Sequence, residues 1–205
     1  TWKLGLSYTP IDDLRLRYTV SRDIRAPTLY ELFAGDQAAR GGFFDAHSGR
    51  NDNVIPLSSG NPDLKPILST NFDVSVEWYF APRALLAASV FYMDLKDYVS
   101  YGQETRQYMT YITTNPQGYL ADYVLTVPVN SDGKVKGVEL TYEQPIGDNF
   151  GINANYTYAD GEQDDGRDLV GTSKNTYNIG AYFENDRFNS RLNYTYRSEF
   201  YSGLD

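Results

Sequence analysis

Apolar and polar residues take turns along "FGINANYTYADG". Phe150, Ile152, Ala154, Tyr156 and Tyr158 occupy one set of alternate positions, and Gly151, Asn153, Asn155 and Thr157 the other. Period two is the mark of a β-strand with two chemically different faces. The same rhythm predicts eight strands, near residues 2–9, 14–21, 69–80, 84–99, 135–145, 150–159, 174–184 and 188–200. The connections around "PIDD" (10–13), "APR" (81–83), "IGDN" (146–149) and "NDR" (185–187) are short, whereas 22–68, 100–134 and 160–173 are long. Short and long alternate strictly. An up-and-down antiparallel sheet gives this order when every tight turn lies at one end and every long loop at the other, as in membrane-spanning barrels.

The apolar rows carry a second pattern. Tyr8, Trp78, Phe80, Tyr142, Phe150, Phe183 and Phe188 fall near the short turns. Trp2, Tyr18, Phe72, Tyr156, Tyr158, Tyr177, Tyr194 and Tyr196 fall toward the long connections, with aliphatic residues between the two groups. Two aromatic belts around an aliphatic band describe a surface that faces lipid. The opposite rows hold Arg15, Arg17, Glu77, Glu139, Asn153, Arg191 and Arg197. Burying such groups without partners costs several kcal/mol each, so these residues are expected to face a wet or plugged lumen. Strand 84–99 has apolar residues on both rows, and its phase stays open on sequence alone.

Composition narrows the picture. No apolar run reaches the roughly 18 residues that a membrane-crossing helix needs, and the mean hydropathy is -0.51. Neither fact argues against a barrel, whose strands are half polar. There is no cysteine, so disulfide and thiolate chemistry are out. A net charge of -9 argues against nucleic acid as a partner. The opening "TWKLGLSY" shows no charged and apolar leader pattern and reads as a strand cut from a longer wall.

Four phrases, in order, resemble TonB-dependent outer-membrane receptors: "SRDIRAPTLYELF" (21–33), "SGNPDLKP" with "STNFDVSVEWYF" (59–66 and 69–80), "GKVKGVELTYEQ" (133–144), and "GTSKNTYNIGAYFENDRFNSRLNYTYRSEF" (171–200). "VEWYF", "GKVKGVEL" and "YNIGAYFEN" look most like the branch linked to carbohydrate uptake. The resemblance implies a barrel of about 22 strands with a plugged lumen. It also implies import of a scarce solute (a siderophore, cobalamin or an oligosaccharide) driven by the TonB complex through the plug. Residues 1–205 are expected to be a later-middle part of that wall, without the plug, the TonB-contact segment or the closing strand. Where family members often carry Glu after "NPDLKP", this chain has Ile67.

The remaining motifs add little chemistry. His47 is the single histidine, so residues 1–205 alone can build neither a paired-His metal site nor a supported Ser–His–Asp triad. No enzyme activity, cofactor or metal is therefore expected. "DGEQDDGRD" (160–168) fails the EF-hand register: the sixth place from Asp160 is Asp165 and the twelfth is Gly171. It reads as a solvated loop tip. The "NYT" matches at Asn155 and Asn193 fall on the polar rows and are taken as chance. "NPDLKP" is turn chemistry that shapes a loop.

Arg25, Tyr30, Phe43 and Phe44 in the 22–68 connection are the candidate ligand contacts. Rings stack on sugar or catecholate rings, and guanidinium forks onto anionic oxygens. The alternative for all four is that they brace the loop or meet surface polysaccharide. Three functions remain: a TonB-dependent transporter in the outer membrane, a passive channel or adhesin barrel, and a soluble carbohydrate-binding β-protein.

Overall fold

The computed structural model describes residues 1–35, 37–38, 56–112 and 115–201. In chain order the elements are β1 (Trp2–Ile11), β2 (Leu14–Arg25), α1 (Leu29–Phe33), β3 (Gln37–Ala38), β4 (Pro56–Ser58), β5 (Ile67–Ala81), β6 (Ala84–Ile112), β7 (Asn115–Ile146), β8 (Phe150–Gln163), β9 (Asn175–Glu184) and β10 (Asn189–Arg197). Eight strands form one continuous path, β1-β2-β5-β6-β7-β8-β9-β10, with β3 and β4 attached off it. The chain divides into two compact units. Thr1–Ile24, Leu68–Lys96 and Asp132–Asp205 make the first, and Arg25–Ile67 with Asp97–Ser131 make the second.

The first unit is a wall with two unlike faces. Cross-strand partners share a face, so the register sorts every residue. Leu4 stands opposite Val20, Leu6 opposite Tyr18 and Tyr8 opposite Leu16. Val74 stands opposite Val90, Leu140 opposite Tyr156, and Ala154 opposite Ile179, which itself pairs with Tyr194. These apolar rows are exposed, with Leu6 at 67% and Leu192 at 76%. A water-soluble sheet would hide them against a core, and among the described residues nothing covers them.

The register also sets the phase of strand 84–99. Leu86, Ala88, Val90 and Tyr92 lie opposite Trp78, Val76, Val74 and Phe72, so they join the apolar face. Ala87, Ser89 and Phe91 fall on the polar face. Both aromatic groupings become ring contacts. Phe80 stacks on Tyr142 at 6.2 Å, and Phe150 meets Phe183 at 4.7 Å. Toward the other strand ends, Tyr177 lies 4.8 Å from Tyr196 and Phe72 lies 6.5 Å from Tyr92.

The long connections are shorter than expected: β8 runs on to Gln163, so the connection expected at 160–173 begins at 164, and the largest difference lies at 100–134. Residues 100–112 and 115–134 are strand and not loop: β6 continues to Ile112 and β7 begins at Asn115. The stretch is rich in Tyr, Thr and Val, which favour strands. It lacks one apolar face and one polar face, so period two carries no contrast there. The 22–68 connection also holds the short helix α1 and the small strands β3 and β4.

The second unit has its own small core of Leu64, Ile67 and Val99, with Leu32 packed against it. Ile67 is 7% exposed, which accounts for an apolar residue at this place. Leu125 and Val127 on β7 are buried as well.

Candidate functional site

On the polar face of the first unit, three of the expected residues meet. The Glu77 carboxylate receives Arg17 Nε at 2.9 Å and lies 3.9 Å from Arg15 Nη1. The Tyr79 hydroxyl donates to the same carboxylate at 2.8 Å. The strand ends carry a polar cluster: Asn71 Nδ2 donates to Ser21 Oγ and to Asp23 Oδ2, both at 3.1 Å, and Ser69 Oγ donates to Asn71 Oδ1 at 2.6 Å.

Glu139 and Arg197 belong to one row across four strands. Glu139 stands opposite Thr157, Thr157 opposite Thr176, and Thr176 opposite Arg197. Arg197 does not pair with Glu199. It donates to Ser173 Oγ at 2.6 Å and to the Gly171 carbonyl at 2.7 Å, and its guanidinium sits 4.3 Å from the Phe200 ring centre. It therefore ties the 164–174 connection to the end of β10. Arg191 lies 3.8 Å from Glu184. Asn153 and Asn193 both stand opposite Gly180 and lie over it. A cleft of about 650 Å³ at the short-turn end is lined by Glu143, Asn153, Tyr182, Arg191 and Asn193 among others.

The second unit holds the candidate ligand contacts. Thr28 caps α1 in a capping box with Glu31: the Glu31 backbone N–H donates to Thr28 Oγ1 at 3.2 Å, and Glu31 Oε2 accepts from the Thr28 backbone at 2.5 Å. Arg25 reaches Glu31 at 3.4 Å, so it braces the helix entry. Tyr30 has no such duty and is 70% exposed, between the exposed Leu29 and Phe33. Phe43, Phe44 and His47 lie outside the described residues.

"SGNPDLKP" docks on this helix. The Gly60 N–H donates to the Ala34 carbonyl at 2.9 Å and the Asn61 N–H to the Glu31 carbonyl at 2.9 Å. A Cβ at residue 60 would stand 2.6 Å from Ala34 N, so only glycine fits. Asn61 then spans outward, accepting from the Asp63 N–H at 3.0 Å and donating to the Pro128 carbonyl at 3.0 Å. Asn130 answers from β7. Its Oδ1 accepts from the Lys65 N–H at 2.8 Å, and its Nδ2 donates to the Lys65 and Asp97 carbonyls at 3.2 and 2.8 Å. Sequence reasoning missed Gly60, Asn61 and Asn130 as organisers. The Asn–Pro pair marked a turn, but nothing local marked Asn130, whose partners are 65 and 33 residues away.

The acidic stretch 160–168, expected to be a loop tip, is strand as far as Gln163, and it is ion-paired. Arg167 lies 2.6 Å from Asp165 and pulls that carboxyl below its usual range. Lys134 pairs with Glu162 and Lys136 with Asp160, each at 3.5 Å. Among the described residues no cluster of His, Cys, Asp or Glu could hold a metal ion.

Comparison with known proteins matches this arrangement along the whole chain. The model of the TonB dependent receptor-like β-barrel family matches residues 1–205. An iron-regulated outer membrane virulence protein of Vibrio cholerae is 27% identical over 88% of this chain and 26% of its own length. A probable hemoglobin and hemoglobin-haptoglobin-binding protein of Haemophilus influenzae is 24% identical over 97% of this chain and 19% of its own. The chain thus spans about a fifth to a quarter of the length of the curated relatives it matches. Among solved structures, the siderophore receptor PirA of Acinetobacter baumannii superposes with a TM-score of 0.68 at 18% identity, over 94% of this chain and 28% of that one. A point mutant of the ferric enterobactin receptor PfeA of Pseudomonas aeruginosa, solved with enterobactin, gives 0.68 at 20% identity, over 98% and 29%.

Proposed function

Because the chain belongs to the TonB-dependent receptor β-barrel family of the bacterial outer membrane, we propose that it forms part of the barrel wall of a receptor that captures an iron-bearing solute at the cell surface and passes it inward. The family consists of transporters, not enzymes. One observation carries the reading: the paired strands keep an apolar row and a polar row in regular cross-strand register. The apolar rows meet lipid. The polar rows, with Arg15, Arg17, Glu77, Glu139, Asn153, Arg191 and Arg197, line the lumen and its plug, through which the TonB complex would act. Relatives named for iron regulation and hemoglobin binding, and structural neighbours named for siderophores, favour a siderophore or heme-type solute over cobalamin or an oligosaccharide.

Tyr30 is the ligand contact that the second unit leaves most available, since it is exposed and has no bracing role. The test uses iron-starved cells that carry the full-length receptor. Labelled ferric siderophore, heme, cobalamin and maltooligosaccharide are offered in turn, with and without the energy source. Energy-dependent uptake of one iron-bearing solute supports the reading. Energy-independent passage of all four would mean a passive channel, and uptake of the oligosaccharide alone would move the receptor to the carbohydrate branch.

A further inference from the structure

The polar face of the wall is not uniform from strand to strand. On β8 its row reads Thr157, Asn155, Asn153 and Gly151. On β9 the partners in register are Thr176, Asn178, Gly180 and Tyr182. None of these residues is charged. Charges stand on the two flanking strands instead: Glu139 and Glu143 on β7, opposite β8, and Arg197 and Arg191 on β10, opposite β9. The β2–β5 sector is different again, since Arg15 and Arg17 close on Glu77 there. Among the described residues the Asn153, Asn155 and Asn178 carboxamides make no side-chain hydrogen bond. Toward the short turns the rows lose bulk at Gly151 and Gly180. Tyr182 leans over the first, and Asn153 with Asn193 over the second. The cleft of about 650 Å³ opens at this end.

A neutral lane of hydroxyls and carboxamides thus runs down the wall, between a carboxylate edge and a guanidinium edge. Such groups donate and accept hydrogen bonds, but they hold nothing tightly: they have no charge to pair and little apolar area to bury. A conducting surface needs this property, because a solute must bind well enough to enter and weakly enough to leave. The cleft at its end has the volume of a small-molecule site. We propose that the β8–β9 lane is the track along which the solute moves past the plug, with the cleft at Gly151 and Gly180 as its last resting place before release. This rests on the transport reading above. The lane suits an oxygen-rich chelate, whose oxygens accept from the amide and hydroxyl donors, while Arg191 meets residual negative charge at the exit. The β2–β5 sector is locked by its own ion pairs, and the plug stays seated on it.

Residues 1–205 contain no cysteine, so single cysteines can report on each sector of a cysteine-free full-length receptor. Asn155→Cys and Asn178→Cys stand on the lane, and Thr19→Cys and Ser75→Cys on the polar rows of β2 and β5. Iron-starved cells receive a fluorescent maleimide with ferric enterobactin or heme as the solute probe, with and without a protonophore. Labelling at 155 and 178 should quicken at least about tenfold while solute and energy are both present, as for a minor open state becoming the major one. Labelling at 19 and 75 should not change. Equal quickening in both sectors, or none on the lane while uptake proceeds, would overturn the track. Asn178→Trp should leave surface binding and heat-modifiability intact and slow uptake at least about fivefold, the low end for one overpacked side chain. Unchanged uptake by that variant counts against the track as well. Cells that take up neither probe with energy would sink the transport reading, and the track with it.

Discussion

Phe91 covers Gly137. The ring Cε1 sits 2.8 Å from where a Cβ of residue 137 would stand, and the Tyr158 carbonyl crowds the same point from the neighbouring strand. An aromatic ring thus covers a bare backbone on the polar face. Tyr182 covers Gly151 in the same manner, and Asn153 with Asn193 cover Gly180.

The two kinds of cover predict different costs. At Gly137 the obstacle includes main chain, which cannot swing away. Gly137→Ala in the full-length receptor should therefore lose roughly 1–3 kcal/mol, the usual range for overpacking. At Gly180 the nearest atoms are the ends of two amide side chains, which can rotate into the open face, so Gly180→Ala should cost clearly less. Urea titration in lipid vesicles measures both, and equal costs would show that the covers are not what shapes this face.

Ala154 and Ile179 are cross-strand partners on the apolar face, whereas Asn178 pairs with Asn155 on the polar one. Arginine at 154 or 179 should destabilise the folded barrel by roughly 2–4 kcal/mol near the bilayer midplane. Asn153→Arg and Asn178→Arg, one residue away, should be far milder. Folding into vesicles gives the numbers, and the same penalty at both parities would remove the argument from alternation.

Asn130 makes three hydrogen bonds to main chain that no shorter or apolar side chain replaces. Asn130→Ala should loosen "NPDLKP" locally by roughly 1–3 kcal/mol, the cost of unsatisfied polar groups. Limited digestion with endoproteinase Lys-C, which accepts a Lys–Pro bond, should then cut after Lys65, while the heat-modifiable barrel band persists. Loss of that band would mean that Asn130 supports the wall and not only the second unit.

Tyr30 is exposed, whereas Arg25 is engaged with Glu31. If Tyr30 stacks on the solute, Tyr30→Ala should weaken binding by about 3- to 10-fold with no change in barrel stability, as expected for one lost aromatic contact. Arg25→Ala should act mainly on the order of α1. Removing Gly35 to Pro56 should leave the barrel assembled and cut surface binding and uptake sharply. Full binding after that deletion would move capture to 100–134 or to the plug.

Alternation alone determined most of the wall. Period two separates Ile152, Ala154 and Tyr156 from Asn153, Asn155 and Thr157 without reference to any other strand, because successive side chains must point to opposite faces. Strand order followed from the turns, since short connections join antiparallel neighbours. Tertiary structure decided what local pattern cannot encode. The phase of strand 84–99 came from pairing with Phe72, Val74, Val76 and Trp78, since its own two rows are both partly apolar. The strand character of 100–134 was hidden for a related reason: period two has nothing to separate where neither face is distinctly apolar. Asn61 and Asn130 became organisers only through hydrogen bonds to chain 67 and 65 residues away, and a hydrogen bond carries no periodicity that a sequence could display.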